Sequence, residues 1–560
     1  MKNMKKKLIA PLLALTLALL TSCGPGAAEG ESSHASGSGA PAESLDPIAI
    51  TVAGIIPIAW NDYPDNAQAK YIRDHFGITI EVVDISERKE AMMASGDLPD
   101  IFIIESNECD PLIESGFILP LDDLVSEYGP HIFPNKDVLD YQRGALGDGE
   151  HIYGLTKFYI EGTDGSLWTQ QWGLNVDWER YAQLGYPEVK ADVDSIYQVM
   201  ADMVGLSPTT EDGLPVYALA YPTIEMRGQS LYGSSPLGYY SSNNFTGVNC
   251  WTGEVSLLYT DPDSFLWQFN HMYWKLNQNG LLDPDSFLMD YDADSLKAVN
   301  GQYVATLYHD ITGNATQLKA SEGVAGGFQY LPLEGSCAWT GADFTYGNRN
   351  LRCISSTAKN PERIMQLLDW AYTPEGARLI HSGAEGETWS YENGVPTLTD
   401  AACDAYRQMD GRYYDMGLAF AWNGAYSGDA EDGYNVNLFS ELDYLQRNET
   451  ALQKSVREHY GMTMKEKVDQ MIADGKVCTQ GSVDMRVINA LGTLPDDLNR
   501  ILNEVDAAMN EGMVQCVLAQ DEETYFATRD SLISQINGMG MDRVNEWFMT
   551  NYNTLLESYQ

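Results

Sequence analysis

The chain has 560 residues with 34 Lys and Arg against 80 Asp and Glu, a formal charge of −46. That balance excludes nucleic acid as a partner, because a phosphate backbone is held by basic stripes, and it disfavours polyanions held by diffuse charge. A hydrophobic fraction of 44% with 20% charged residues describes a globular chain with ample core, not a disordered one.

In chain order, residues 1–22 read as an export signal: Lys2, Lys5, Lys6 and Lys7 precede the apolar run Leu8–Leu20, of secretory rather than membrane-spanning length. The run ends Leu20-Thr21-Ser22-Cys23-Gly24, which resembles the bacterial lipobox. A plain secretory signal is the alternative. A lipid on Cys23 would tether the chain to the outer face of the cell membrane. Residues 23–46, rich in Gly, Ala, Ser and Glu, read as a disordered tether. The seven other cysteines, Cys109, Cys250, Cys337, Cys353, Cys403, Cys478 and Cys516, are odd in number and scattered, so buried thiols are expected, with at most one oxidised pair.

Strands are predicted over 48–58, 78–83 and 101–104, with a helix over 66–76 stopped by Gly77, an alternation that argues for an α/β unit with a mostly parallel sheet. Ligands bind at the carboxyl ends of such strands, which places Trp60-Asn61-Asp62-Tyr63 and Glu105-Ser106-Asn107 on the binding edge. Helical patterns follow at 176–204, 261–279 and 361–382, and the tail 440–560 reads as almost entirely helical.

Several phrases together resemble the extracellular solute-binding lipoproteins of bacterial ABC importers, in the large sugar-binding branch of Gram-positive bacteria. They are Gly96-Asp97-Leu98-Pro99-Asp100-Ile101, Leu119-Pro120-Leu121-Asp122-Asp123, His151-Ile152-Tyr153-Gly154-Leu155, Gly280-Leu281-Leu282-Asp283-Pro284 and Tyr372-Thr373-Pro374-Glu375-Gly376. Gly383-Ala384-Glu385-Gly386-Glu387-Thr388-Trp389 and the helix pair Arg529–Trp547 complete the set, in the family's order. The resemblance implies a periplasmic-binding-protein-like α/β fold: two lobes joined by hinge segments, the second helix-rich. Lobe 1 is then expected over 47–170 with a return at 340–400, and lobe 2 over 171–339 with the C-terminal helices 401–560. It implies capture of a solute between the lobes, delivery to ABC permease subunits, and no cofactor; a monomer is expected.

The family's EF-hand-like loop has no counterpart here. Residues 206–213 carry too few oxygen ligands, and Asp290-Tyr291-Asp292-Ala293-Asp294 lacks the turn Gly and the closing Glu, so it reads as a solvated acidic helix start and no metal is expected.

A saccharide offers apolar faces to aromatic rings and hydroxyls to carboxylates and amides. The candidate ligand-binding residues are Trp60 and Asp62 on the first strand's loop, Trp172 at the first crossing between lobes, and Trp339 and Asp343 at the return crossing. Glu387 and Trp389 in the Gly-rich loop, and Trp422 in Ala419–Tyr426, complete the set. For each Trp, core burial is the competing reading. Tyr239-Tyr240 and Trp251 rank last. No GxSxG, HExxH, SxxK or Walker motif occurs, so a carrier is favoured over an enzyme. The alternatives are a surface glycoside hydrolase, which needs two carboxylates a fixed distance apart, and a peptide-binding lipoprotein on the same fold.

Overall fold

The computed structural model describes residues 46–86, 88–132, 136–157, 172–222, 234–241, 243–338, 346–347, 350–422, 424–479 and 483–559. The signal, Cys23 and the tether, with Trp339 and Asp343, lie outside the described residues. Residues 46–560 form one compact unit.

β1 (Ile48–Ala53), β2 (Ile78–Val82) and β3 (Ile101–Glu105) are parallel. β1 stops at Ala53 rather than at Ile58, because Gly54 turns to φ 76°, a left-handed conformation that ends a ladder. The helix Ala67–Phe76 begins where the Asn66 side chain accepts the Ala69 N–H and ends at Gly77, φ 60°, as a helix with good caps at both ends should. After β4 (Leu155–Thr156) the chain passes to β5 (Trp172–Asp177), the meander β6 (Tyr239–Tyr240), β7 (Thr246–Asn249) and β8 (Val255–Leu257), then β9 (Ala305–Tyr308) and β10 (Phe328–Tyr330). It returns as β11 (Asn350–Ile354), antiparallel to β3 and β4, and a hairpin β12 (Trp389–Glu392) and β13 (Val395–Leu398) follows.

Two sheets therefore carry the fold, ordered β2-β1-β3-β11-β4 and β10-β5-β9. Alternate side chains of the first enter different cores, as a period of two demands. Ile101 and Ile354 pack with the helix Pro361–Ala371, while Phe102, Ile104, Leu351 and Cys353 pack on the other face. The second sheet packs against Val193–Leu206 and Phe265–Gln278. The stretch 176–204 is not one helix. Asp177 caps Trp178–Gln183, and a turn with Gly185 and Tyr186 at positive φ intervenes before Asp192 caps the next.

The C-terminal portion 401–560 is divided. Phe420, Trp422 and Ala425 share the core of β1–β3, whereas the helices Asp496–Val517, Glu522–Gly538 and Met541–Tyr559 close over β6–β8. The reason is local: residues 417–422 are held on the first sheet's helix by Gln68, whose Nε2 donates to the carbonyls of Ile380, Gly417 and Phe420 at 3.1, 2.8 and 3.3 Å.

Candidate functional site

At the carboxyl edge of β1–β3 the turn Ile58–Asp62 is clamped from beneath. Asn61 Nδ2 donates to the Val82 carbonyl at 2.7 Å and its Oδ1 accepts the Val82 N–H at 3.0 Å. The clamp rolls Trp60 inward, where it is 2% exposed, donates to the Ile80 carbonyl, and meets Phe420 edge-on. Asp62 faces solvent. Trp422 is 5% exposed and its indole N–H is taken by Gln68. Trp60 and Trp422 are therefore core residues, since a ring with neither face open offers no stacking platform.

Trp389 is also buried, its indole N–H donated to the Gly383 carbonyl at 3.0 Å and its ring under the Arg378 guanidinium. Its edge joins a groove of about 1130 Å³ that includes Phe76, Trp370, Arg378 and Asp432. Phe76 ends the helix that leads through Gly77 into β2, so this groove lies toward the amino edge of the sheet, opposite to where ligands bind in α/β folds. Arg378 pairs with Asp432, and that hydrogen bond holds the Asp432 carboxyl down to about 2. Glu387, on the neighbouring turn, is exposed. Trp251 is partly exposed, with its N–H on the Gly335 carbonyl; Tyr240 is buried.

Trp172 opens β5, and its backbone pairs with Tyr308, the last residue of β9. At that carboxyl end lies a cavity of about 40 Å³ whose walls include Tyr221, Tyr273, Tyr303, Thr306 and Tyr308, with Asp294 at its side. The cavity is made by the bridges Tyr217 to Tyr303 and Leu219 to Leu282, which draw residues 217–222 alongside β9. Asp294 is 4% exposed, and its Oδ1 has no hydrogen-bond partner among the described residues. Burial pushes its carboxyl up to about 6, Asp283 pushing the same way and the Tyr303 hydrogen bond and Lys297 opposing.

Beneath the cavity Asp283 is wholly buried. It accepts from Tyr303 Oη at 2.8 Å and from Lys297 Nζ at 2.7 and 2.9 Å, while the same ammonium reaches Asp285 at 2.8 Å. The stretch 290–294 is thus not a wholly solvated helix start. Asp290 does cap the helix Tyr291–Val299, but Asp294 shares the inward face with Ala298, one turn on. That spacing was visible in the sequence. The Tyr side chains that meet it come from three separate segments and carried no local signal. Among the described residues no group of three His, Cys, Asp or Glu converges as metal ligands would.

Two sheets of this order, each under its own helices and joined by several crossings, define a two-lobed binding-protein fold. The family model for bacterial extracellular solute-binding protein matches residues 61–378, more than half of the 560-residue chain, and the chain belongs to that family. Solved structures agree in fold. The alginate-binding protein AlgQ2 shares 16% identity at a TM-score of 0.57, over 91% of this chain and 98% of its own. The S. pneumoniae ABC-transporter substrate-binding protein FusA, in complex with kestose, shares 14% at 0.58, over 91% and 100%. An HMO-binding ABC-transporter-associated solute-binding protein from Bifidobacterium longum infantis shares 14% at 0.58, over 91% and 99%. A search among curated protein sequences gives no significant match. Membership places the chain on the outer side of the cell membrane as a binder of solutes; among the described residues no helix is long and apolar enough to cross a membrane.

Proposed function

We propose that this protein is the capture subunit of an ABC importer and holds a carbohydrate between its lobes without altering it. The observation that carries the reading is the tyrosine-walled cavity at the carboxyl end of β9, beside the strand that enters from the first crossing. Tyrosine rings and a buried carboxylate oxygen are what a sugar's C–H faces and hydroxyls require. The kestose bound by the structural neighbour FusA points the same way. Trp172, Trp339, Asp343 and the exposed Asp62 and Glu387 are proposed as further contacts. Closure is favoured only by contacts a ligand makes to both lobes at once. ATP hydrolysis would belong to a separate subunit, and the permease would read the closed form. A lipid on Cys23 would hold the chain at the membrane.

The test is a thermal-shift and calorimetric screen of the full-length chain against mono- and oligosaccharides. A ligand at 100 times its Kd adds about 2.7 kcal/mol. Stabilisation by a saccharide recovered intact supports the reading. Consumption of the sugar would make the chain a hydrolase, and stabilisation by peptides alone would make it a peptide carrier. Loss of detergent-phase partitioning in Cys23→Ala tests the anchor.

A further inference from the structure

The cavity beside β9 is selective in charge as well as in shape. Three carboxylates, Asp283, Asp285 and Asp294, gather around one ammonium, Lys297, which already serves Asp283 and Asp285. Tyr303 has one proton for two carboxylates, Asp283 at 2.8 Å and Asp294, and Asp294 Oδ1 has no hydrogen-bond partner among the described residues. Among the described residues lining the cavity there is no Lys, Arg or His. A buried polar atom without a partner costs about 1–3 kcal/mol, more when charged.

Two entrants could satisfy that oxygen. A sugar hydroxyl supplies a hydrogen bond and leaves the excess negative charge in place. A protonated amine supplies the hydrogen bond and the missing charge together, and charge-assisted bonds are roughly twice as strong as neutral ones. The walls favour the same choice, because Tyr221, Tyr273 and Tyr308 line the cavity and an aromatic ring attracts a cation through its quadrupole. Size limits the entrant to one substituent: a cavity of about 40 Å³ takes an ammonium head or about three waters, since one water needs about 10–15 Å³ by the same measure. A uronate carboxylate would meet only like charge.

We infer that this cavity is a subsite for a protonated amine carried on the captured sugar, with Asp294 as its counter-ion and the tyrosine rings as its walls. The inference rests on the carbohydrate reading above and narrows it to amino sugars that are not N-acetylated. Asp294, raised to about 6 by burial, is then the group whose ionisation the ligand stabilises.

Calorimetry on the full-length chain compares glucosamine oligosaccharides, their N-acetylated counterparts, neutral glucose oligosaccharides of equal length, and ethylammonium as a primary ammonium without a sugar. The expected result is at least about tenfold tighter binding of the free-amine oligosaccharide than of its acetylated form, a difference of about 1.4 kcal/mol. The isosteric Asp294→Asn variant, shown folded by its melting transition, is expected to abolish that preference while still binding the acetylated sugar. Ethylammonium competition on the unaltered chain provides the same reading without a variant. Equal affinity for free-amine, acetylated and neutral sugars overturns the inference and leaves carbohydrate capture standing. Ethylammonium binding with no saccharide bound supports the cation subsite and removes the carbohydrate reading. No binding by any of the four overturns both.

Discussion

Nε1 of Trp422 donates to Oε1 of Gln68 at 2.9 Å, joining two buried side chains 354 residues apart in the chain. With three carbonyls on its Nε2, this one amide holds the 417–422 stretch to the helix Ala67–Phe76. Replacing Gln68 by Leu keeps the volume and strands the indole N–H and at least one carbonyl. At about 1–3 kcal/mol for each orphaned group, Gln68→Leu is expected to lose about 2–4 kcal/mol, read from the guanidinium unfolding midpoint. An unchanged midpoint would show that the stretch is held by packing alone.

Two groups give the fold opposite responses to acid. His381 is held down to about 4 by burial, with the Tyr426 carbonyl opposing. The unfolded chain takes that proton near 6.5 and the folded chain does not until about 4, so this contribution is present above 6.5 and is lost as pH falls to 4. Asp294, raised to about 6, keeps its proton in the folded state over a range where the unfolded carboxyl has lost it. Its destabilising contribution is present above 6 and is relieved as pH falls toward 3.8. Each reaches at most about 3 kcal/mol, at about 1.4 kcal/mol for each pH unit between the two states. Asp294→Asn is therefore expected to be more stable than the parent at pH 7.5 and equal to it near pH 4, while His381→Asn flattens the acid limb. Melting curves from pH 4 to 8 decide both. A constant offset for Asp294→Asn at every pH would mean that its carboxyl titrates normally.

The first sheet was legible because its strands are short β-branched runs beside a helix with a visible cap at Asn66 and stop at Gly77. Trp60 and Trp422 were not, because an aromatic residue on a polar loop has the same sequence whether the loop turns it out or clamps it in. The clamp here is Asn61 on Val82 in one case and Gln68 in the other, both long-range partners. Asp294 was misread for a related reason. Its neighbours Asp290 and Asp292 do behave as a helix start, and only the i, i+4 relation to Ala298 distinguishes it. The helical pattern over 361–382 is carried by two helices, which part at the phrase Tyr372–Gly376, where Thr373 caps a second helix that has Pro374 at its first position.

Arg352 is wholly buried on β11 with Tyr372 Oη and, at 3.5 Å, the Thr156 carbonyl as acceptors, and its Nε and Nη1 have no partner among the described residues. It fits only because Gly424, φ 96°, has no side chain: a Cβ there would lie 2.5 Å from the guanidinium carbon. Gly424→Ala adds that clash to the strain of a positive φ and is expected to cost more than about 2 kcal/mol. Arg352→Met removes an unpaired buried charge and is expected to be neutral or stabilising. The double variant is expected to recover the clash and not the backbone strain, so a double-mutant cycle in melting free energy should show positive coupling. Strict additivity would mean the guanidinium moves aside.

Burial and binding separate cleanly between Trp60 and Tyr308. Trp60→Phe leaves the Ile80 carbonyl without its indole donor and the Phe420 ring with a smaller neighbour, so it is expected to lower stability by about 1–2 kcal/mol. Because neither face of that ring reaches solvent, solute affinity in Trp60→Phe is expected to stay within about twofold of the parent. Tyr308 ends β9 at the cavity and pairs with Trp172, so Tyr308→Ala removes a wall of the subsite and leaves the ladder's backbone bonds intact. It is expected to weaken the saccharide that binds best by about tenfold or more, the worth of one well-placed ring, with a smaller change in melting temperature than Trp60→Phe. Titrations of both variants with the same sugar measure the contrast. If Trp60→Phe weakens binding and Tyr308→Ala does not, the solute is held at the edge of β1–β3 and the cavity beside β9 is only a packing defect.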